Sequence, residues 1–174
     1  MSKTMIPHVL NRYNLYKRGN RLVGLTGEVE LPAVTMLVDT LEGAGTGGNM
    51  DVPVIGLTEN MDVTIPYMCL SKEMFDMADP SEAADLTLRG AIQGTDPATG
   101  RISYTSVAVS LRGTAKEISP GTMKAGGKME ASVTLALSYY KVALDGTTVL
   151  EIDKLNGVFA VNGVDLLKEV RNMC

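Results

Sequence analysis

The stretch EASVTLALSYYKVALDG, Glu130 to Gly146, decides how this chain folds. Val133, Leu135, Leu137 and Tyr139 fall on one side of an extended backbone, with Thr134, Ala136 and Ser138 on the other. Side chains of a strand alternate between two faces, so this spacing predicts a half-buried strand. Spanning 130–144, it is expected to be the longest strand in the chain. Asp145-Gly146 suits a type I′ turn, in which both central residues take positive φ, so Thr147–Asp153 is expected to return antiparallel.

Working outward, Arg101–Arg112 shows the same alternation, with Val107, Val109 and Leu111 set against Ala108, Ser110 and Arg112. The turn residues at 95–100 predict a hairpin with Leu86–Gln93. A loop is expected from Ser119 to Lys128, where Pro120, Gly121, Gly126 and Gly127 gather. Asn156-Gly157 and Asn162-Gly163 mark two more turns. Val164–Asn172 predicts a short helix, with Asp165 in its first turn and Arg171 in its last, as the helix dipole favours. In the N-terminal half, strands are expected at Tyr13–Lys17 and Arg21–Leu31, around the turn Arg18-Gly19-Asn20. Further strands are expected at Val34–Leu41, Val52–Leu57 and Met61–Ile65, with Pro53 needing an edge or strand-start position. Ser71 is placed to cap a helix over Ser71–Ala78 whose apolar face is Met74, Phe75 and Ala78, and Asp79-Pro80 ends it. The pattern predicts a single, mainly β domain over 1–174, a sandwich or barrel-like body with one or two short helices, preceded by an N-terminal arm at 1–12.

A chain of 174 residues is long enough to bury a substantial core. Its 45% apolar and 21% charged residues are ordinary for a soluble domain. No apolar run approaches the ~18 residues of a membrane span, and the first residues lack the apolar core of a secretory signal. The net charge of −4 argues against a groove built to grip nucleic acid. There is no Trp and there are eleven Met, so apolar surface is supplied more by flexible side chains than by stacking platforms. His8 is the sole histidine and lacks the partners that a catalytic pair or a His-based metal site needs; it is expected on the surface of the arm. Cys69 and Cys174 have neither metal-binding nor redox spacing. No cofactor, metal or catalytic set is therefore expected. Gly43-x-Gly45-x-x-Gly48 matches a dinucleotide fingerprint in letters, but Asn49-Met50-Asp51-Val52-Pro53 does not open the helix that would hold a pyrophosphate. Read from its residues, the loop is a flexible hairpin or connecting loop.

Across nearly the whole chain, an ordered set of short motifs carries a resemblance. Asn14-Leu15-Tyr16, Leu31-Pro32 and Glu42-Gly43-Ala44-Gly45 come first. Leu111-Arg112-Gly113, Lys116-Glu117-Ile118 and Gly126-Gly127 follow, then the opening stretch, Leu150-Glu151-Ile152-Asp153, Asn156, Val161-Asn162-Gly163-Val164-Asp165 and Arg171. In this order they resemble the major tail tube protein of contractile-tailed bacteriophages, a family also used in phage-derived contractile bacteriocins. The resemblance implies a non-enzymatic subunit whose tail tube fold completes a continuous barrel in a hexameric ring. Such rings stack into a hollow tube that conducts double-stranded DNA without binding it specifically. Implied partners are further copies of the chain, the tail sheath protein, the tape measure protein, the baseplate initiator and the tail terminator. The implied location is a virion tail or bacteriocin particle assembled in a bacterial cytoplasm.

The same resemblance points to two assembly loops. One is 43–50, with Gly43, Ala44, Gly45, Thr46, Gly47, Gly48, Asn49 and Met50. The other is 118–129, with Gly126 and Gly127 and, at its approach, Lys116 and Glu117, which read equally as a solvated pair or as an intersubunit contact. Ser and Thr are dense in 102–110 and 130–138, as suits either the wet face of a lone sandwich or the wall of a channel. On a channel wall, acidic residues are expected to outnumber basic ones, because a basic wall would hold phosphates. The competing readings are a DNA-free contractile bacteriocin tube, a type VI secretion tube, which matches the motifs less well, and a monomeric β-sandwich binding module.

Overall fold

The computed structural model describes residues 5–22, 28–43 and 47–174. Ala44, Gly45 and Thr46 of the first expected loop, and 23–27 of the expected second strand, lie outside the described residues. In chain order the strands are β1 (Ile6–Lys17), β2 (Asn20–Arg21), β3 (Met36–Leu41), β4 (Met50–Thr58), β5 (Asp62–Tyr67), β6 (Ala84–Thr95), β7 (Ile102–Ser119), β8 (Ala131–Leu144), β9 (Thr147–Asp153), β10 (Val158–Val161) and β11 (Val164–Asp165). The helices are α1 (Lys72–Met77) and α2 (Lys168–Met173).

The opening stretch becomes β8, and most of the main sheet is arranged around it. The strand order is β11-β10-β9-β8-β7-β6-β1-β2, all antiparallel, and the sheet does not close on itself. One edge of β8 carries β7. The other edge is divided, with Ala131–Ala136 pairing β5 and Tyr139–Leu144 pairing β9. At the division Gly113 faces Leu137 and Arg112 faces Tyr139, so Ser138 is the extra residue of a bulge. An extra residue reverses the facing of everything after it. Val133, Leu135 and Leu137 point into the core as expected, but beyond the bulge Tyr140 is buried and Tyr139 turns to the wet face.

A single core joins the sheet, β5 and α1. It contains Leu15, Val63, Ile65, Met74, Met77, Leu86, Leu111, Leu135, Ile152 and Phe159. Each such side chain contributes ~1.5–3 kcal/mol by leaving water. Three tight turns use the left-handed backbone that a type I′ hairpin requires, at Arg18-Gly19, Asp145-Gly146 and Asn162-Gly163.

Several boundaries differ from expectation. The longest strand is β7 at 18 residues, against 14 for β8, because β7 continues through Gly113 and a second bulge to Ser119. From Ile6 onward the expected arm is strand β1, paired with β6 out to Thr95. Of the strand expected at 21–31, the described residues place Arg21 in β2, and Glu28–Leu31 joins no ladder among them. Val164-Asp165 is strand, since the Asn162-Gly163 turn folds it back on β10, and the helix starts only at Lys168. Ser71 Oγ does accept the Met74 N–H, at 3.2 Å. The buried face of α1, however, is Met74, Met77 and Ala78, at i, i+3 and i+4, and Phe75 points to solvent.

Candidate assembly surfaces

The β3–β4 hairpin stands apart from the main sheet. Its register pairs Leu41 with Met50, Thr40 with Asp51, Asp39 with Val52 and Val38 with Pro53. Alternation therefore places Leu41, Met50, Val52 and Val54 on one face together with Asp39. All four apolar residues are exposed, as are Val38, Ile55 and Leu57. Pro53 is tolerated because a two-stranded ribbon is all edge. A lone hairpin is marginal in water. This one is tied by Thr40 Oγ1 donating to Asp51 Oδ1 at 3.0 Å and by Asn49 Nδ2 donating to Glu42 Oε1 at 2.9 Å. Gly43, Gly47, Gly48, Asn49 and Met50 lie exposed at its tip. At its root, Gly56 takes φ +83° and lies against Leu167, just ahead of α2. The C-terminal segment is itself clipped, with Arg171 donating to Gly157 O at 2.7 Å and pairing with Asp165. The Arg171 hydrogen bond, above all, holds the Asp165 carboxyl below the usual carboxylate range.

The second expected element is differently built. Lys116 is the extra residue of a bulge between Ala115, opposite Leu135, and Glu117, opposite Thr134. Its ammonium is met inside the subunit by Asp62 of β5, and Glu117 is exposed. Gly126 and Gly127 sit on an exposed turn closed by the Gly127 N–H to Lys124 O at 3.1 Å. That loop is tied down by Thr122 N–H to Met129 O at 2.7 Å and Met129 N–H to Met68 O at 2.8 Å. Gly121 is required there: at φ +76°, a Cβ would lie 1.9 Å from Met129 O. Gly126-Gly127 and Lys116-Glu117 are thus part of the folded body, whereas the first loop tips a projecting hairpin.

The wet face of β6–β9 carries a network that strand patterning alone did not reveal. Asp85 lies 3.8 Å from Arg112, whose guanidinium stacks over Tyr139 at 5.3 Å. The Tyr139 hydroxyl donates to Glu151 at 2.8 Å, and Lys141 lies 3.8 Å from the same carboxylate. Burial and then the Glu151 bond push the Tyr139 phenol up to about 12. Burial raises the Asp153 carboxyl, but hydrogen bonds from Asn156 and the Leu155 N–H, with the Arg112 charge, hold it low on balance. Thr87 and Ser110 lie beside these charges, and farther along β8 Thr134 shares a 3.0 Å hydroxyl bond with Thr64. His8 lies exposed on β1, and Cys69 and Cys174 are exposed thiols. Among the described residues no three His, Cys, Asp or Glu side chains converge to hold a metal.

An open β body with an apolar hairpin projecting from it defines a structural protein that joins others. Its fold is that of contractile injection machines. It superposes with a TM-score of 0.57 on the sheath/tube terminator of an extracellular contractile injection system, at 13% identity, covering 80% of this chain and 99% of the other. A second match, to a chain of the sheath–tube complex of such a system, has a TM-score of 0.51 at 15% identity, covering 76% and 88%. The chain belongs to the phage tail tube protein FII family, which it matches over residues 7–173. It is 30% identical over 171 residues to the tail tube protein of Escherichia phage P2, covering 95% of this chain and 96% of that one. It is 27% identical over 162 residues to the major tail tube protein of Serratia phage KSP20, covering 92% and 91%. The protein is a structural subunit of a tail tube, and a monomeric binding module is not favoured.

Proposed function

We propose that this subunit closes into six-membered rings that stack into a hollow tube, sheathed on the outside, through which double-stranded DNA passes. The carrying observation is the β3–β4 hairpin, an apolar ribbon left in water by its own subunit. Exposed apolar surface of this kind marks an interaction site. An open sheet completed by neighbouring copies loses its edges, and head-to-tail contacts close into rings when the rotation allows. The wet face of β6–β9 suits the channel wall. Its Arg112, Lys116 and Lys141 each face a carboxylate of the same subunit, which weakens their hold on passing phosphates, while Arg89 on the same face stacks over Tyr16. The sheath protein would dock outside, the tape measure protein would occupy the growing lumen, and the baseplate initiator and tail terminator would cap the two ends. Such a particle is a phage tail, assembled in the host cytoplasm.

Deleting 45–49 tests the part played by the hairpin tip. The shortened protein is expected to stay folded and to form no tubes by negative-stain electron microscopy. Normal tubes from it would remove the first loop from assembly.

A further inference from the structure

The wet face of the sheet gives most of its cations a carboxylate of their own. Arg112 lies 3.8 Å from Asp85, Lys141 lies 3.8 Å from Glu151, and Lys116 pairs with Asp62. Two arginines on the same face are left out. Arg12 of β1 and Arg89 of β6 are both exposed, and neither pairs with a carboxylate among the described residues. Residues 1–4, 23–27 and 44–46, outside the described ones, contain no Asp or Glu that could serve. Arg89 is also held in place, its guanidinium 5.7 Å from the centre of the Tyr16 ring.

The strand register brings the two together. Arg12 is opposite Ala91 and Arg89 is opposite Asn14, so they are diagonal neighbours on β1 and β6, roughly 7–8 Å apart. Their surroundings on that face are short, with Ala91 and Ser106 in one row and Asn14 and Ala108 in the next. Both guanidiniums therefore stand over a low floor of small side chains. Two like charges at this spacing repel, and an anion shared between them relieves the repulsion. Each guanidinium also presents a planar fork of donors that matches phosphate oxygens. Glu117, an exposed acid on this face, lies across the sheet on the β5 side. The β1–β6 part of the wet face is thus its uncompensated basic part.

We infer that Arg12 and Arg89 form a phosphate-contacting site for the backbone of duplex DNA on its way through the tube. This rests on the tube reading above, with the wet face as channel wall, and names the side chains that touch the cargo. The occupant follows from charge. The pair offers two uncompensated positive charges with forked donors, and a duplex presents phosphates to a surrounding wall on every side. No base edge is involved, so the contact is blind to sequence. Repeated in every subunit, the pair makes a sparse basic track among small, hydroxylated and internally paired side chains. One subunit supplies only two such contacts, so the duplex is steered along the wall without being gripped. A net charge of −4 on the chain is in keeping with that.

Wild-type tubes, checked by electron microscopy, are mixed with a short fluorescent duplex at low salt, and the label sedimenting with them is measured. The tubes are expected to carry the duplex down, with binding that weakens steeply as salt rises. Arg12→Gln and Arg89→Gln lie at exposed positions and are expected to keep the wild-type circular dichroism. Each is expected to lower the bound label at least about threefold, and to flatten the salt dependence by about one unit of slope for each subunit the duplex engages. Arg89→Lys keeps the charge and is expected to retain most of the binding. Lys72→Gln makes the same change of charge on α1, which packs on the opposite, core side of the sheet, and is expected to bind like the wild type. On the free subunit, where the same face is open, adding duplex is expected to shift the Arg12 and Arg89 Nε–H signals in nuclear magnetic resonance; unmoved signals would overturn the site even if a variant failed to form tubes. Variant tubes that bind like the wild type, or wild-type tubes that take up no duplex, would overturn it and leave the tube standing. So would inorganic phosphate or polyglutamate displacing the label as well as unlabelled duplex does, for the pair would then serve a free anion or an acidic protein. A wild-type protein that forms no tubes would instead sink the tube reading itself.

Discussion

Replacing Gly56 by Ala is expected to loosen the hairpin from its own subunit, and the cost follows from two geometric features of the site. At φ +83° the backbone is in a region that L side chains rarely adopt, and a non-glycine residue there costs ~1–2 kcal/mol. The added Cβ would also lie 2.3 Å from Leu167 Cδ1 and 2.7 Å from Cδ2. Those atoms end a flexible side chain and yield in part, so the crowding costs about 1–3 kcal/mol. For a chain of this size each kcal/mol lowers the melting temperature by about 2–4 °C, giving a fall of roughly 4–20 °C. The two costs separate in a double-mutant cycle. Leu167→Ala removes the crowding and leaves the backbone cost, so in that background Gly56→Ala is expected to cost only ~1–2 kcal/mol. Thermal and urea unfolding of the four proteins measures both. Equal costs in the two backgrounds, or a Gly56→Ala protein melting within about a degree of wild type, would show that Leu167 does not hold the root of the hairpin.

Two further outcomes are expected. Phe159→Ala, at a fully buried ring that anchors β10 to the core, should lose about 3–5 kcal/mol in urea unfolding, while leaving the exposed hairpin residues unchanged. The Asp165 carboxyl is held below its ordinary value by Arg171, so its contribution is present above the ordinary carboxylate range and is lost as pH falls through the lowered value. Hydrogen-exchange protection of α2 should therefore fade on acidification before the core opens, and Asp165→Asn should show the loss at neutral pH.

Where local chemistry decides, the sequence was legible. Asp145-Gly146, Asn162-Gly163 and the Ser71 cap depend on neighbouring residues alone, and each sits where expected. Alternation in 107–111 and 133–137 identified the buried face of β7 and β8. The bulges at Lys116 and Ser138 were invisible because only the partner strand reveals which residue is extra. Tyr139 was accordingly placed in the core, and the Arg112–Tyr139–Glu151 network was missed. The N-terminal half of β1 was hidden by its own two register shifts and by Pro7, Asn11 and Arg12, which break alternation. For the assembly surfaces, glycine spacing drew attention to the loop at 43–50. The apolar ribbon carrying it read as an ordinary strand pair, because exposure is a property of what the fold leaves uncovered. The partner of Lys116 was not legible either, because only the fold brings Asp62 of β5 beside it.

The most direct test of the central claim is negative-stain electron microscopy of the purified, concentrated full chain, alone and beside its baseplate initiator. Hollow six-fold rings and stacked tubes are expected. A uniform population of single subunits under both conditions would contradict the claim that this protein completes its sheet and covers its hairpin with copies of itself.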